Sequence, residues 1–354
     1  MRLQNVSAKT IARAPRSLLA MALLGVLFAS SSAQAARQLT ASLSDFVTEM
    51  RIFMPGEGSN GYVVPTSEER SSFSAAAVAL ASGNLERAEQ ALASYPGFEL
   101  LDFRDGPEGA TYWAIAEKPP FVRGWGFYFF AREPSRGTLV VEAPHPLADR
   151  DSELLAAKMV STLRPAAFLL AGAHRYADAG RTSDMTHAAY SIFESVHEAV
   201  LSAPRVALQI HGFNSATHVG YPELLLSSGT TKPGPDSEQI CTAVTSKGVG
   251  CTLFTGVAYT DLGAQTNVQG SNTRQVAGDG HFFHFETGDA VRDEQAKGDA
   301  VVQAIGEHWP SPEAGHGCGC GAASCVPPGS ALWVLGALAW RRRSTLQRLG
   351  ESPP

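Results

Sequence analysis

The chain has 354 residues, 44% of them hydrophobic and 18% charged, and its 34 Gly and 21 Pro fall well short of the roughly 25–30% that marks low-complexity chains. Disorder, a collagen-like repeat and a disulfide-dense miniprotein are excluded. The formal net charge is −6, and the basic residues are scattered apart from one terminal cluster, so the electrostatic footprint of a nucleic-acid binder is missing.

Residues 1–35 read as a secretory signal. Arg2, Lys9, Arg13 and Arg16 form a basic lead, Ser17 to Ala29 is an apolar run, and Ala33, Gln34 and Ala35 make a small-x-small cleavage site. An apolar run of about 13 residues is shorter than the roughly 20 a membrane anchor needs, so the reading is export with cleavage before Ala36 or Arg37. About 280 residues remain between this leader and a C-terminal tail at 311–354, enough for one large α/β domain or a medium domain with a small partner.

From residue 36 to 136 the pattern predicts a helix over Leu43–Met50, a Gly- and Pro-rich loop and an Ala-rich helix over Ser67–Ala93. Three strand-like runs come next, Phe98–Phe103, Thr111–Glu117 and Trp125–Ala131, separated by Gly- and Pro-bearing turns as in antiparallel hairpins. We read this as a small N-terminal α+β subdomain covering one edge of a main sheet. Over 137–310 apolar strands alternate with helices: strand 138–143, helix Ser152–Leu163, strand 166–172, helix Met185–Leu201 and strand 205–213. Continuous apolar strands between helices predict an α/β fold, a mostly parallel sheet flanked by helices, with ligands at the carboxyl ends of its strands. No internal repeat, phosphate-binding loop or dinucleotide-binding glycine pattern is present. The stretches Asn214–Glu238 and Gly256–Gly280 read as irregular specificity loops with no recognisable substrate code.

Cys241 and Cys251 flank the turn-like SKGVG, and in an oxidising compartment they predict one local disulfide. Residues 311–354 hold a Cys/Gly cluster (Gly315 to Cys325), a short apolar stretch (Ala331 to Trp340) and Arg341, Arg342 and Arg343. Cys318, Cys320 and Cys325 lack the two spaced CxxC pairs of a structural zinc site. The order of the three parts resembles the MYXO-CTERM sorting tail of myxobacterial surface proteins. That resemblance implies transient membrane retention through the tail, processing near the cysteines by sorting machinery, and display at the cell surface or outer membrane.

The chemistry lies at the strand ends. Strand 138–143 ends in PHPLADRDSE, which carries His145, Asp149, Asp151 and Glu153; strand 205–210 ends in His211; and HFFHFETGDAVR places Glu286 late in a third strand. Two imidazoles, a carboxylate and a further glutamate at one sheet edge are the set zinc catalysis requires. Three N/O ligands leave a position for water, whose pKa the metal lowers, and a nearby carboxylate takes the proton. Asp151 or Glu153 can instead serve as negative charge at the start of the next helix.

The succession EAPHPLADRDSE, AGAHRYADAGRTSD, LQIHGF and FHFETGDAVR resembles the motifs of N-formylglutamate amidohydrolases and phage poly-γ-glutamate hydrolases, relatives of zinc carboxypeptidases. The similarity covers about Gly137 to Trp309. It implies a zinc carboxypeptidase-like fold, zinc held by His145, Asp149 and His211, and Glu286 as general base. Spacing after His145 departs from both relatives, which leaves Glu153 as an alternative acidic ligand. Arg175, Asp178 and Arg181 resemble the Arg- and Asp-bearing segment of the amidohydrolases, and Arg175 there would hold a substrate carboxylate or else pair with Asp178. Arg292 is the second clamp candidate. His187 reads as structural or supporting and His197 as solvent-exposed; no role is read for His174, His218, His281 or His284.

The sequence therefore predicts a secreted zinc hydrolase cutting an amide bond near a carboxylate, in an N-acyl amino acid, a γ-glutamyl polymer or a peptide. A catalytically inactive surface binding protein on the same fold is the alternative. A serine hydrolase is excluded, because no GxSxG nucleophile elbow occurs in the chain.

Overall fold

A computed structural model describes residues 36–311 apart from 202 and 203. The leader and the tail read from the sequence lie outside the described residues. The first part of the chain runs β1 (Arg37–Ala41), α1 (Leu43–Arg51), α2 (Ser67–Ala81), α3 (Leu85–Leu92), β2 (Phe98–Asp105), β3 (Thr111–Glu117) and β4 (Phe127–Ala131). Then come β5 (Arg136–Ala143), α4 (Ser152–Leu163), β6 (Pro165–Leu170), α5 (Ile192–Val200), β7 (Val206–Gly212) and β8 (Leu224–Ser227). The last elements are α6 (Pro235–Ser246), β9 (Cys251–Leu253), α7 (Val268–Val276), β10 (Phe282–Thr287), α8 (Asp289–Asp293) and α9 (Gln295–His308).

All ten strands belong to one sheet, ordered β1-β2-β3-β4-β6-β5-β7-β10-β8-β9. The central block β6-β5-β7-β10 is parallel, which confirms the α/β class. β2, β3 and β4 pair antiparallel, as the hairpin pattern predicts, and β4 joins β6 antiparallel. The strands of segment 36–136 prolong the main sheet, β4 pairing with β6, and a boundary after residue 136 falls at the first residue of β5. β8 and β9 extend the other edge, so both expected irregular loops carry regular structure, β8 in one and α7 in the other.

Successive strand residues point to opposite faces, and both faces of this sheet are covered. On one side Phe103, Phe129, Val141, Phe168, Leu208, Ile210 and Phe285 pack with residues of α1, α4, α6 and α9; on the other Tyr128, Phe130, Val140, Leu169 and Ala207 pack with α2, α3 and α5. Double coverage explains why the strands read as continuous apolar runs rather than alternating ones.

Local rules set the element ends. Thr66 and Glu69 form a reciprocal capping box that opens α2. The predicted single helix Ser67–Ala93 is two helices, because Gly83 adopts φ +76° and Asn84 then caps α3 by accepting from Arg87 N. The predicted helix from Met185 begins only at Ile192, where Ser191 Oγ accepts from Glu194 N; residues 185–191 are turns beside the site. At the head of β4, Gly126 has φ +91°, and a side chain there would collide with Leu170 O, while one on Gly172 would collide with Gly126 N. The two backbones touch, which fixes the chain leaving β6.

Cys241 on α6 and Cys251 at the start of β9 are bonded, with Cα atoms 5.4 Å apart. Among the described residues no helix is long and apolar enough to cross a membrane.

Replacing both cysteines with serine should lower unfolding free energy by about 2–3 kcal/mol, the value for closing a loop of this length, read from denaturant unfolding of the oxidised protein. A second expectation concerns pH. The Glu153 side chain is fully enclosed against Arg51, and burial, only partly offset by that arginine, lifts its carboxyl from 4.5 to about 7. The folded state then holds this proton more tightly than the unfolded state, so its contribution to stability is present below about pH 4.5 and lost as pH rises through 7. Subtracting the Glu153→Gln stability curve from the natural one should isolate that decline.

Candidate metal centre

β5, β6, β7 and β10 run the same way, so their carboxyl ends open on one edge of the sheet. His145 lies two residues past β5, Arg175 and Asp184 lie in the segment after β6, His211 is in β7 and Glu286 in β10. His211 and Glu286 are register partners. Asp149 is drawn back toward His145 by a turn in which its N–H donates to His145 O at 3.1 Å.

Three side chains meet there. Asp149 Oδ2 lies 3.2 Å from His145 Nδ1 and 2.8 Å from His211 Nδ1, and the two imidazole rings are 4.7 Å apart between centroids. All three residues are buried. The outer nitrogens are held as well: His145 Nε2 lies 2.8 Å from Asp184 Oδ1, and His211 Nε2 lies 3.0 Å from Gln209 Oε1. Ionised carboxylates and an amide oxygen only accept, so every ring nitrogen of His145 and His211 faces an acceptor, although a neutral imidazole has only one hydrogen to give.

Charge matches this geometry. Burial disfavours a charged His145, yet Asp149 and Asp184 outweigh it and raise its pKa. Burial lowers that of His211 despite its bond to Asp149. The same burial would raise Asp149, but the two imidazoles hold it well below the carboxylate range. Asp184 is held low in the same way, against burial, by His145, His187 and Arg175. A proton on His145 lets that ring donate to Asp149 and Asp184 together. His145, Asp149 and His211 could hold a metal ion, and so could His211, His284 and Glu286, the ligand atoms of each group lying within 4.8 Å of one another.

Glu286 borders the first group. Its Oε1 is 3.5 Å from His284 Nε2, and its Oε2 is buried without a partner. Burial first, then the Asp149 charge, raises its carboxyl well above the usual range. The His284 ring sits 4.4 Å from that of His211, and burial with that neighbour pushes it well below the ordinary imidazole range, so it is neutral.

The remaining sequence candidates divide. Arg175 stands at the site: it donates to Asp184 Oδ2 at 2.7 Å, comes within 3.4 Å of His145 Nδ1, and leaves its buried Nε unpartnered. It does not pair with Asp178, which instead accepts from the backbone N–H groups of Thr182 and Ser183. Arg181 stacks on Tyr176, 5.0 Å from its centroid. Arg292 is enclosed and donates to Thr287 O, to Phe213 O at 3.0 Å and to Asp289 Oδ1 at 2.9 Å, while its buried Nε has no partner. Glu153 faces Arg51 at 2.9 Å and stays out of the trio, because in the first turn of α4 it points to α1. His197, expected at the surface, is fully buried and 2.5 Å from Glu142. His187 is half-exposed between Asp184 and Thr266.

Three residues of the site escaped the sequence reading: Asp184, Gln209 and His284. Asp184 lies 39 residues from His145 in a segment without periodicity. Gln209 and His284 did leave a signal, as polar residues two positions before His211 and Glu286 in otherwise apolar strands.

No family model and no curated protein matches the chain. Among solved structures, the gene product Atu2144 from Agrobacterium tumefaciens is similar to it at 10% identity and a TM-score of 0.29, over 49% of this chain and 87% of that one.

Asp184→Asn should keep the fold, since the amide fills the same space, but weaken divalent-metal binding by about 10- to 100-fold, measured by chelator competition. Unchanged affinity would show that the outer bond of His145 contributes nothing to ligation.

Proposed function

We propose that the protein is an exported, surface-displayed zinc-dependent hydrolase that cleaves an amide bond near a carboxylate, in an N-acyl amino acid, γ-glutamyl or peptide substrate. The observation that carries this reading is the convergence of His145 Nδ1, His211 Nδ1 and Asp149 Oδ2, with the unpartnered Glu286 Oε2 beside them. Two imidazoles and one carboxylate are a donor set suited to zinc with a coordination position left open. Bound there, zinc supplies Lewis-acid polarisation of a carbonyl and acidifies water.

The chain's own groups do the rest. Glu286 Oε2 accepts a proton during attack and returns it to the departing nitrogen; its raised affinity for protons and lack of a competing partner suit both transfers. Arg175 is anchored by Asp184 and keeps a free Nε, which fits it to hold a substrate carboxylate beside the reacting amide. Export is supported by the leader-like residues 1–35 and by the Cys241–Cys251 bond, of a kind that persists in oxidising compartments. Display and processing through the tail rest on its resemblance to a sorting signal, and membrane contact is assigned to that tail alone.

The protein purified from its exported form should contain zinc near one per chain and turn over members of a panel of N-acyl amino acids and γ-glutamyl peptides. Glu286→Gln should retain the metal while turnover falls by about 10² to 10⁴. Protein that holds no metal and takes up none on titration would sink the proposal. A zinc-loaded chain inert toward the whole panel would favour the binding-protein alternative, and a fully active Glu286→Gln enzyme would remove Glu286 from the reaction.

A further inference from the structure

Beneath the metal trio the sheet carries a polar row. On the face covered by α5, Val140, Ala207 and Phe282 form an apolar rung across β5, β7 and β10; the next rung toward the site is Glu142, Gln209 and His284; the one above holds His211 and Glu286. Glu142, Gln209 and the facing His197 of α5 are completely buried. Polar groups that deep are costly unless each is paired, and here the pairing fixes one direction through the row.

The direction comes from the ends inward. Gln269 donates from Nε2 to Glu194 Oε2 at 2.7 Å and to Met185 O at 3.0 Å, so its Oε1 faces Gln209. Gln209 Nε2 meets two acceptors, Glu142 Oε2 at 3.0 Å and Gln269 Oε1 at 3.3 Å. Glu142 Oε1 lies 2.5 Å from Nδ1 of His197, whose pKa rises because Glu142 outweighs the effect of burial. Asn267 Nδ2 donates to Gln209 Oε1 at 2.6 Å, which confirms the same amide orientation from the other side. A flipped Gln209 would set its NH2 against Asn267 and its oxygen against a carboxylate.

We infer that Gln209, locked by Glu142 with His197, Gln269 and Asn267, is the positioning residue that makes His211 an Nδ1 ligand. Its Oε1 lies 3.0 Å from His211 Nε2 and, with metal bound, would accept the hydrogen there, leaving Nδ1, 2.8 Å from Asp149 Oδ2, to ligate. The inference rests on the proposed metal site and assigns Gln209 no contact with substrate.

Two measurements test it. In the zinc-loaded natural protein labelled with ¹⁵N-histidine, two-bond proton–nitrogen spectra near pH 8 should show His211 with its hydrogen on Nε2 and the metal on Nδ1, its signals assigned by their loss in His211→Ala. A His211 that carries its hydrogen on Nδ1 in the loaded protein overturns the inference without any variant having to fold. In the second, zinc affinity is measured by chelator competition beside thermal melting. Gln209→Met should lose about 10- to 100-fold in affinity and show mixed tautomers. Gln209→Glu keeps an oxygen toward His211 and can share one proton with Glu142, so it should restore both affinity and tautomer.

A merely structural role predicts the opposite order, because Gln209→Glu adds an acid beside Glu142 and should harm the fold at least as much as Gln209→Met. Affinities that track melting temperature, or a Gln209→Met variant with natural affinity, overturn the inference. A natural protein that binds no zinc overturns the underlying metal reading instead, so the two failures are separable.

Discussion

Every ring nitrogen of His145 and His211 faces an acceptor, Asp149 Oδ2 on the inner side and Asp184 or Gln209 on the outer, and this is the constraint on which the site depends. A neutral imidazole has one hydrogen to give, so two of them cannot satisfy four acceptor contacts, and positive charge at the centre completes the set. The surrounding order, from the Arg175–Asp184 ion pair to the polar rung below, holds these groups in place.

The sheet makes this economical. Parallel register across β5, β7 and β10 stacks like with like, so one apolar rung, one polar rung and one rung of His211 and Glu286 succeed one another toward the open edge. Few loop residues are then needed to complete the constellation. His145 and Asp149 come from one short turn after β5, and the segment after β6 adds Arg175 and Asp184. That segment is pinned at its root by the Gly126–Gly172 backbone contact, which lets a loop side chain meet a strand side chain at hydrogen-bond distance.

What was legible in the sequence was what strand ends reveal. His145, Asp149, His211 and Glu286 stood out because they interrupt or end apolar runs, and the hairpins of the first part were readable from their turns. Glu153 competed with Asp149 on spacing alone; only the phase of α4, which turns Glu153 toward Arg51, separates them, and that phase depends on where the helix starts. His197 looked like a surface residue because its partner Glu142 is 55 positions away on another strand. Asp184 and the Gln209 network share that difficulty: their roles are defined by neighbours distant in the chain. By contrast, the break between α2 and α3 was visible in Gly83 and Asn84, and the Ala-rich composition around them masked it.

The disulfide bears on more than unfolding free energy. β9 is the last strand of the sheet, three residues long, and its first residue is tied covalently to α6. An open sheet edge is a template on which other chains can add a strand, and proteins blunt such edges by shortening or covering them. A short edge that cannot peel away from its own helix presents little backbone for recruitment. Molecules crowded side by side would thus gain resistance to edge-to-edge aggregation from the same bond that closes a ten-residue loop.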